Sequence, residues 1–98
     1  MKYALRFRPE IPNDVAEACR WYESRSAGLG ERFVRELNET VSRIALAPEA
    51  YGKGEREVRS ARMHRFPYVV HFRVAGAEVV ILAVMFGGRD SAVWRNRT

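Results

Sequence analysis

The chain has 98 residues, 47% of them hydrophobic, with a formal net charge of +5 and a pI near 10.0. That is one folded domain, too apolar for a disordered chain and too short for two cores. The longest apolar run, Val79–Phe86, falls far short of the ~20 residues a membrane helix needs, and MKYALRFRPEIP lacks the apolar region of a signal peptide.

The alternation of Tyr3, Leu5 and Phe7 with basic or small residues predicts a half-buried strand over 2–8, ended by Pro9 and Pro12. A helix follows, opened by Pro12 and capped near Asn13, with Ile11, Val15, Ala18 and Tyr22 on one stripe. Ser26-Ala27-Gly28-Leu29-Gly30 breaks it and starts a second helix. There Leu29, Phe33, Leu37, Val41 and Ile44 recur at helical spacing until Pro48. Two such helices on a short glycine loop make an antiparallel hairpin. After the polar segment 48–57, strands are expected over 58–65, 68–74 and 79–86, a three-stranded meander. Val79–Phe86 is apolar on both faces and belongs inside the sheet, which leaves room for the first strand on its other side. Asp90 is placed to cap a last helical turn through Trp94.

The expected fold is therefore α+β, in the order β-α-α-β-β-β with a short C-terminal helix. The helical hairpin packs on one face of a four-stranded, mainly antiparallel sheet, with Leu37, Val41, Phe72, Ile81 and Val84 in the core. The other face, carrying His71, Arg73 and part of the Arg59/Arg62 set, is expected to be open to a partner.

Charge is uneven. Residues 1–52 hold eight basic and eight acidic side chains, whereas residues 53–98 hold nine and four, so the whole excess lies in the second half. Fifteen of the seventeen basic residues are Arg, whose planar fork suits phosphate and carboxylate. An acidic partner, nucleic acid or protein, follows from this bias. Cys19 is the only cysteine, which excludes an internal disulfide and a cysteine metal cluster and fits a reducing cytoplasm. His64 and His71 are the only histidines, and their spacing does not make a metal site. No nucleotide-binding glycine loop, HExxH or GxSxG motif is present. Arg56, Arg59, Arg62 and Arg65 recur every third residue, but strand alternation lets at most two share a face; they also read as guards of a sheet edge. Trp94 beside Arg95 and Arg97 reads in two ways: an exposed stacking surface with two anion contacts, or a tryptophan folded back over the core.

Three segments in order, Trp21–Gly52, FPYVVHFRV (Phe66–Val74) and VVILAVMFGGRD followed by Trp94, make the chain resemble the RelE/ParE superfamily of small bacterial toxins. Its ParE-like branch, often labelled plasmid stabilisation proteins, is the most similar, and the resemblance spans nearly all of residues 1–98. It implies a cytoplasmic toxin neutralised by a cognate antitoxin, a small acidic protein that wraps it with a helix and an extended segment. In the ribonuclease branch the toxin cuts messenger RNA on the ribosome; the ParE branch is reported to poison DNA gyrase without a known reaction. Laid over the ribonuclease pattern, Arg89 takes the place of the arginine that stabilises the cleaved phosphate, and Arg62 that of one of two lysines. Ser60 stands at the other lysine and Val69 at a second arginine. Trp94 or Arg95 stands where a ribonuclease has a tyrosine, and Phe86 where many relatives have a histidine. RNA cleavage needs a base, an acid and charge stabilisation, and only the last is represented, by Arg62 and Arg89. The expectation is a gyrase-type toxin with no cofactor and no metal, binding its partners through Arg59, Arg62, His71, Arg73, Arg89, Trp94, Arg95 and Arg97.

Overall fold

The fold is described here by a computed structural model covering residues 3–88 and 91–98. It follows the expected order: β1 (Ala4–Phe7), α1 (Ile11–Arg25), α2 (Leu29–Leu46), β2 (Arg59–Arg62), β3 (Tyr68–Ala75), β4 (Glu78–Phe86) and a single helical turn, α3 (Ala92–Arg95), with two short 3-10 turns between α2 and β2. The sheet order is β1-β4-β3-β2. Strand β4 is central, as its two apolar faces require, and β1 lies on its far side. The β2–β3 and β3–β4 pairs are antiparallel, while β1 runs parallel to β4, Ala4 opposite Glu78 through Phe7 opposite Ile81.

Strand boundaries differ from the sequence expectation in two places. The second strand stops at Arg62 rather than reaching residue 65, because Arg65 takes a positive φ of 67° and Pro67 cannot extend the ladder. The first helix begins at Ile11 with Glu10 as N-cap and no side-chain cap, so Asn13 does not cap it, while Pro12 sits in its opening turn as expected. Ser91, not Asp90, precedes the last turn; Asp90 lies outside the described residues.

The hairpin packs on one sheet face. Phe33, Ile44, Val70, Phe72, Val79 and Ile81 are fully buried there, joined by Leu37, Val41 and Val84. Tyr22, Phe33, Phe66 and Tyr68 make a cluster of edge-to-face and stacked rings at one end of this layer. The helices cross closely at Gly30, where a Cβ would sit 2.7 Å from the Cys19 carbonyl oxygen and 2.8 Å from its Sγ. Glu23 reaches over the loop and accepts hydrogen bonds from the backbone N–H groups of Gly28 and Gly30, both at 3.0 Å. It thus caps α2 from the preceding helix, since Gly28 has no side chain to do so.

Strand β4 carries a β-bulge. His71 pairs with Ala83 and Phe72 with Ile81, so Leu82 is an extra residue. The bulge puts Leu82 and Ala83 on the same side and returns Val84 to the helix-side core beside Ile81. On the other face, Val80, Leu82, Ala83 and Met85 form a second, smaller core with Val58 and Trp94. Residues 91–98 fold back over that face to complete it. No helix is long and apolar enough to cross a membrane among the described residues.

Candidate partner-binding face

The sheet face opposite the hairpin carries most of the residues singled out in the sequence. Strand register fixes its rows. Arg62, Val69 and Met85 form one row, Ser60, His71 and Ala83 the next, and Arg73, Val80 and Arg6 a third. Arg59 shares the helix side with Ala61 by strand alternation and donates to the Tyr51 carbonyl. Of the Arg59/Arg62 pair, only Arg62 therefore belongs to this face, where it is exposed. Arg89 lies outside the described residues.

The C-terminal segment is not an exposed tail. Trp94 is only 8% exposed, and its indole stacks on the His71 imidazole at 5.8 Å between ring centroids with an interplanar angle of 28°. Of the two readings of this residue, the folded-back tryptophan holds, because Val80, Leu82, Ala83 and Met85 leave an apolar sheet face that water would otherwise cover. Removing Trp94 is thus expected to disturb packing, not only binding. Arg95 is tied to Glu55 at 2.6 Å, with its guanidinium 5.8 Å from the Trp94 ring. Arg56 donates to the Arg95 carbonyl at 3.0 Å and to Thr98 Oγ1 at 3.1 Å. Arg56 and Glu57 hold positive φ values of 56° and 61° in the loop that makes this reach.

Arg97 is the most deeply committed cation. It grips Asp14 of α1 through Nη1 at 2.7 Å and Nη2 at 3.1 Å, and also donates to the Leu82 carbonyl at 3.0 Å. The Asp14 carboxylate in turn accepts the Val84 N–H at 3.1 Å. Beyond Ile81, β4 has no β1 residue beside it, and this ion pair satisfies backbone groups that the short first strand leaves over. Hydrogen bonding to Asp14 raises the Arg97 pKa above its ordinary value. Sequence reading treated Arg97 as a free anion contact and did not find Asp14; a spacing of 83 residues carries no local signal.

Proton-transfer groups are scarce on this face. Ser60 Oγ lies 2.9 Å from His71 Nδ1, and burial beneath Trp94 lowers the His71 pKa from its usual 6.5, so the imidazole is neutral at neutral pH. The tyrosines with perturbed pKa values lie elsewhere. Tyr3 bonds Glu49, and Tyr22 is in the hairpin core. The row at Arg62 offers one guanidinium, then Val69 and Met85.

The rim beside this face is different. Between α1 and the open edge of β4 lies a groove of about 650 Å³, with Ala18, Tyr22 and Val84 among its lining residues. Trp21 and Phe86 line it too and are 52% and 46% exposed. Exposed rings of this size beside a strand edge are the mark of an interaction surface.

A family model for the ParE toxin of type II toxin–antitoxin systems, parDE, matches residues 5–91. The chain belongs to this ParE toxin family. Two solved structures agree on the fold. A chain of the chromosomal ParDE system from P. aeruginosa is 23% identical with a TM-score of 0.73, over 85% of this chain and 94% of that one. A double arginine-to-alanine mutant of the E. coli toxin RelE in the free state is 18% identical with a TM-score of 0.58, over 99% and 95%. No curated protein matches the sequence. Both likenesses show the fold alone.

Proposed function

We propose that the protein is the toxin of a type II toxin–antitoxin pair, that it acts in the cytoplasm on DNA gyrase to arrest growth, and that a small acidic antitoxin neutralises it. Family membership supports the toxin class. The observation that carries the choice of target is the row Arg62–Val69–Met85, which supplies charge but no group able to take or give a proton. Cleavage of RNA by its own 2′-hydroxyl needs both. His71 does not fill the gap, because it is paired with Ser60 and roofed by Trp94.

The antitoxin reading rests on the rim. Trp21 and Phe86 offer apolar anchors for a helix, and the groove between α1 and β4 that they line gives it a seat. Arg62, Arg73 and Arg89 would meet its acidic residues, and Trp94, Arg95 and Arg97 hold the surface they act from.

The test is induced expression without and with the adjacent reading frame. A gyrase toxin should arrest growth with a DNA-damage response and stalled gyrase–DNA complexes, and co-expression of the neighbour should relieve it. Primer extension on cellular messages checks the other branch. Clean cuts at codons that vanish on Arg62→Ala would replace the gyrase reading with ribosome-dependent cleavage.

A further inference from the structure

Ser60 lies in the middle row of the face opposite the hairpin, on the edge strand β2. It is exposed, and its Oγ sits 2.9 Å from Nδ1 of His71, whose ring is held in place by the stacked Trp94. Register and alternation give Ser60 five neighbours on this face. Val58 and Arg62 lie along β2, His71 directly across, and Val69 and Arg73 on the diagonals. None of them is acidic. The two arginines stand on opposite sides of the hydroxyl, each at a spacing that a long side chain spans.

Both guanidinium groups are uncommitted. Among the described residues neither Arg62 nor Arg73 makes an ion pair or hydrogen bond. In this they differ from Arg6, Arg8 and Lys53, which are paired with Glu78, Glu10 and Glu57. The exposed serines of the hairpin lack such a setting. Arg25, beside Ser24 and Ser26, lies over the Trp21 ring at 4.4 Å, and Arg43, beside Ser42, donates to Thr40 Oγ1 at 3.3 Å. Two unmatched forks around a hydroxyl are complementary to a dianion attached at that oxygen. The backbone is open as well. Met63 N–H bonds the Tyr68 carbonyl, and in an antiparallel ladder this turns the alternate residues Ala61 and Arg59 toward β3. The N–H and C=O groups of Ser60 and Arg62 therefore point to the outer edge, past the bridge that pairs Lys53 with Arg59. An extended segment with a free edge is a form that a modifying enzyme can grip.

We propose that Ser60 is a phosphorylation site and that Arg62 and Arg73 clasp the phosphate. A serine kinase transfers the γ-phosphoryl group of a nucleoside triphosphate. The bond from Ser60 Oγ to phosphorus forms, the bond from that phosphorus to the β–γ bridging oxygen breaks, the diphosphate leaves and the hydroxyl proton passes to solvent. The added dianion cancels the two free charges of this face and so withdraws their attraction for an acidic partner. The site stands whatever the toxin's target, and only this last effect rests on the acidic-antitoxin reading.

To test it, the full chain is incubated with magnesium–ATP and a serine kinase chosen because it phosphorylates the free peptide 56–65. Intact-mass and fragment spectra should place one phosphate per chain at Ser60, and Ser60→Ala should stay unmodified while keeping its thermal melt. Phosphorus NMR then titrates the product. The free phosphopeptide should give the ordinary second pKa of about 6. The folded protein should titrate about 1 pH unit lower, because two guanidinium groups favour the dianion. Arg62→Gln/Arg73→Gln should move that value at least halfway back, and the single variants replace the double variant if it melts early. Where a variant resists the kinase, phosphoserine is built in at position 60 during translation. A folded chain left unmodified at Ser60 while the peptide is modified would overturn the site. A second pKa equal to the peptide's, or one unmoved by the arginine variants, would overturn the clasp.

Discussion

Asp14 in the first helix and Arg97 in the penultimate position of the chain grip each other through two hydrogen bonds, with both side chains only 14% exposed. The pair also holds the Val84 N–H and the Leu82 carbonyl, so it fastens α1, β4 and the C-terminal segment at one point. Loss of one partner would leave the other charge and one backbone group unmatched, the Leu82 carbonyl when Arg97 is removed. Arg97→Ala is expected to cost about 3 kcal/mol, the lower end for breaking a buried pair because some solvent reaches it. Urea midpoints at constant m-value measure this, and a change under about 1 kcal/mol would show the pair to be no more than a surface contact.

Stability should fall on mild acidification through His71. Burial lowers its folded-state pKa below the ordinary 6.5, so the unfolded chain binds the proton more readily. The contribution is fully present above 6.5 and is lost as pH drops through the lower folded-state value. Trp94 fluorescence reports on the same event, since the indole stacks on that ring. Replacement by His71→Gln should flatten both profiles in this window, and profiles unchanged by the substitution would count against it.

Glu23 gives a second, more acidic window. The backbone N–H groups of Gly28 and Gly30 hold its carboxylate below the ordinary 4.5. Its cap therefore stabilises the helical hairpin above that value and fades as pH falls through the lowered one. Wild type and Glu23→Ala should differ most at neutral pH and converge in acid, as read from denaturant titrations at several pH values. A gap of constant size would assign the effect to packing instead of charge.

Ile81 is fully buried in the central strand, among side chains of the hairpin core. Ile81→Asp places a charge there with no counterion and should cost upward of about 4 kcal/mol, enough to unfold most of a domain this size. Circular dichroism of the purified variant decides it. Ile81→Val, by contrast, should cost about 1 kcal/mol.

Most of the fold was legible because its signals are local. Apolar residues at helical spacing marked the hairpin, and a strand without a polar face could only be central. The bulge was not legible. Leu82 and Ala83 share a face, yet in an all-apolar run every register looks alike. Residues of the candidate face were found as residue types, but their commitments came from contacts far apart in sequence, such as Asp14 with Arg97 and Arg56 with Thr98. Trp94 shows the limit most clearly. A tryptophan between arginines and an aspartate reads equally as a platform or a lid, and only the apolar face beneath it decides. The Arg6–Val80–Arg73 row was invisible for a related reason: it is assembled by the parallel β1–β4 pairing, which no turn in the sequence announces.

That parallel pairing also bears on how the molecule is made. The first strand must wait for residues 78–81, and the Asp14 fastening waits for Arg97. A nascent chain can fold its helical hairpin early, but its sheet cannot close until residues 78–81 are made, nor its C-terminal fastening until Arg97 is. Such late, long-range closure is slow compared with local folding, so each new copy passes through an interval with its apolar sheet face uncovered. Whatever protein binds that face or its rim during the interval meets the chain before its surface is complete.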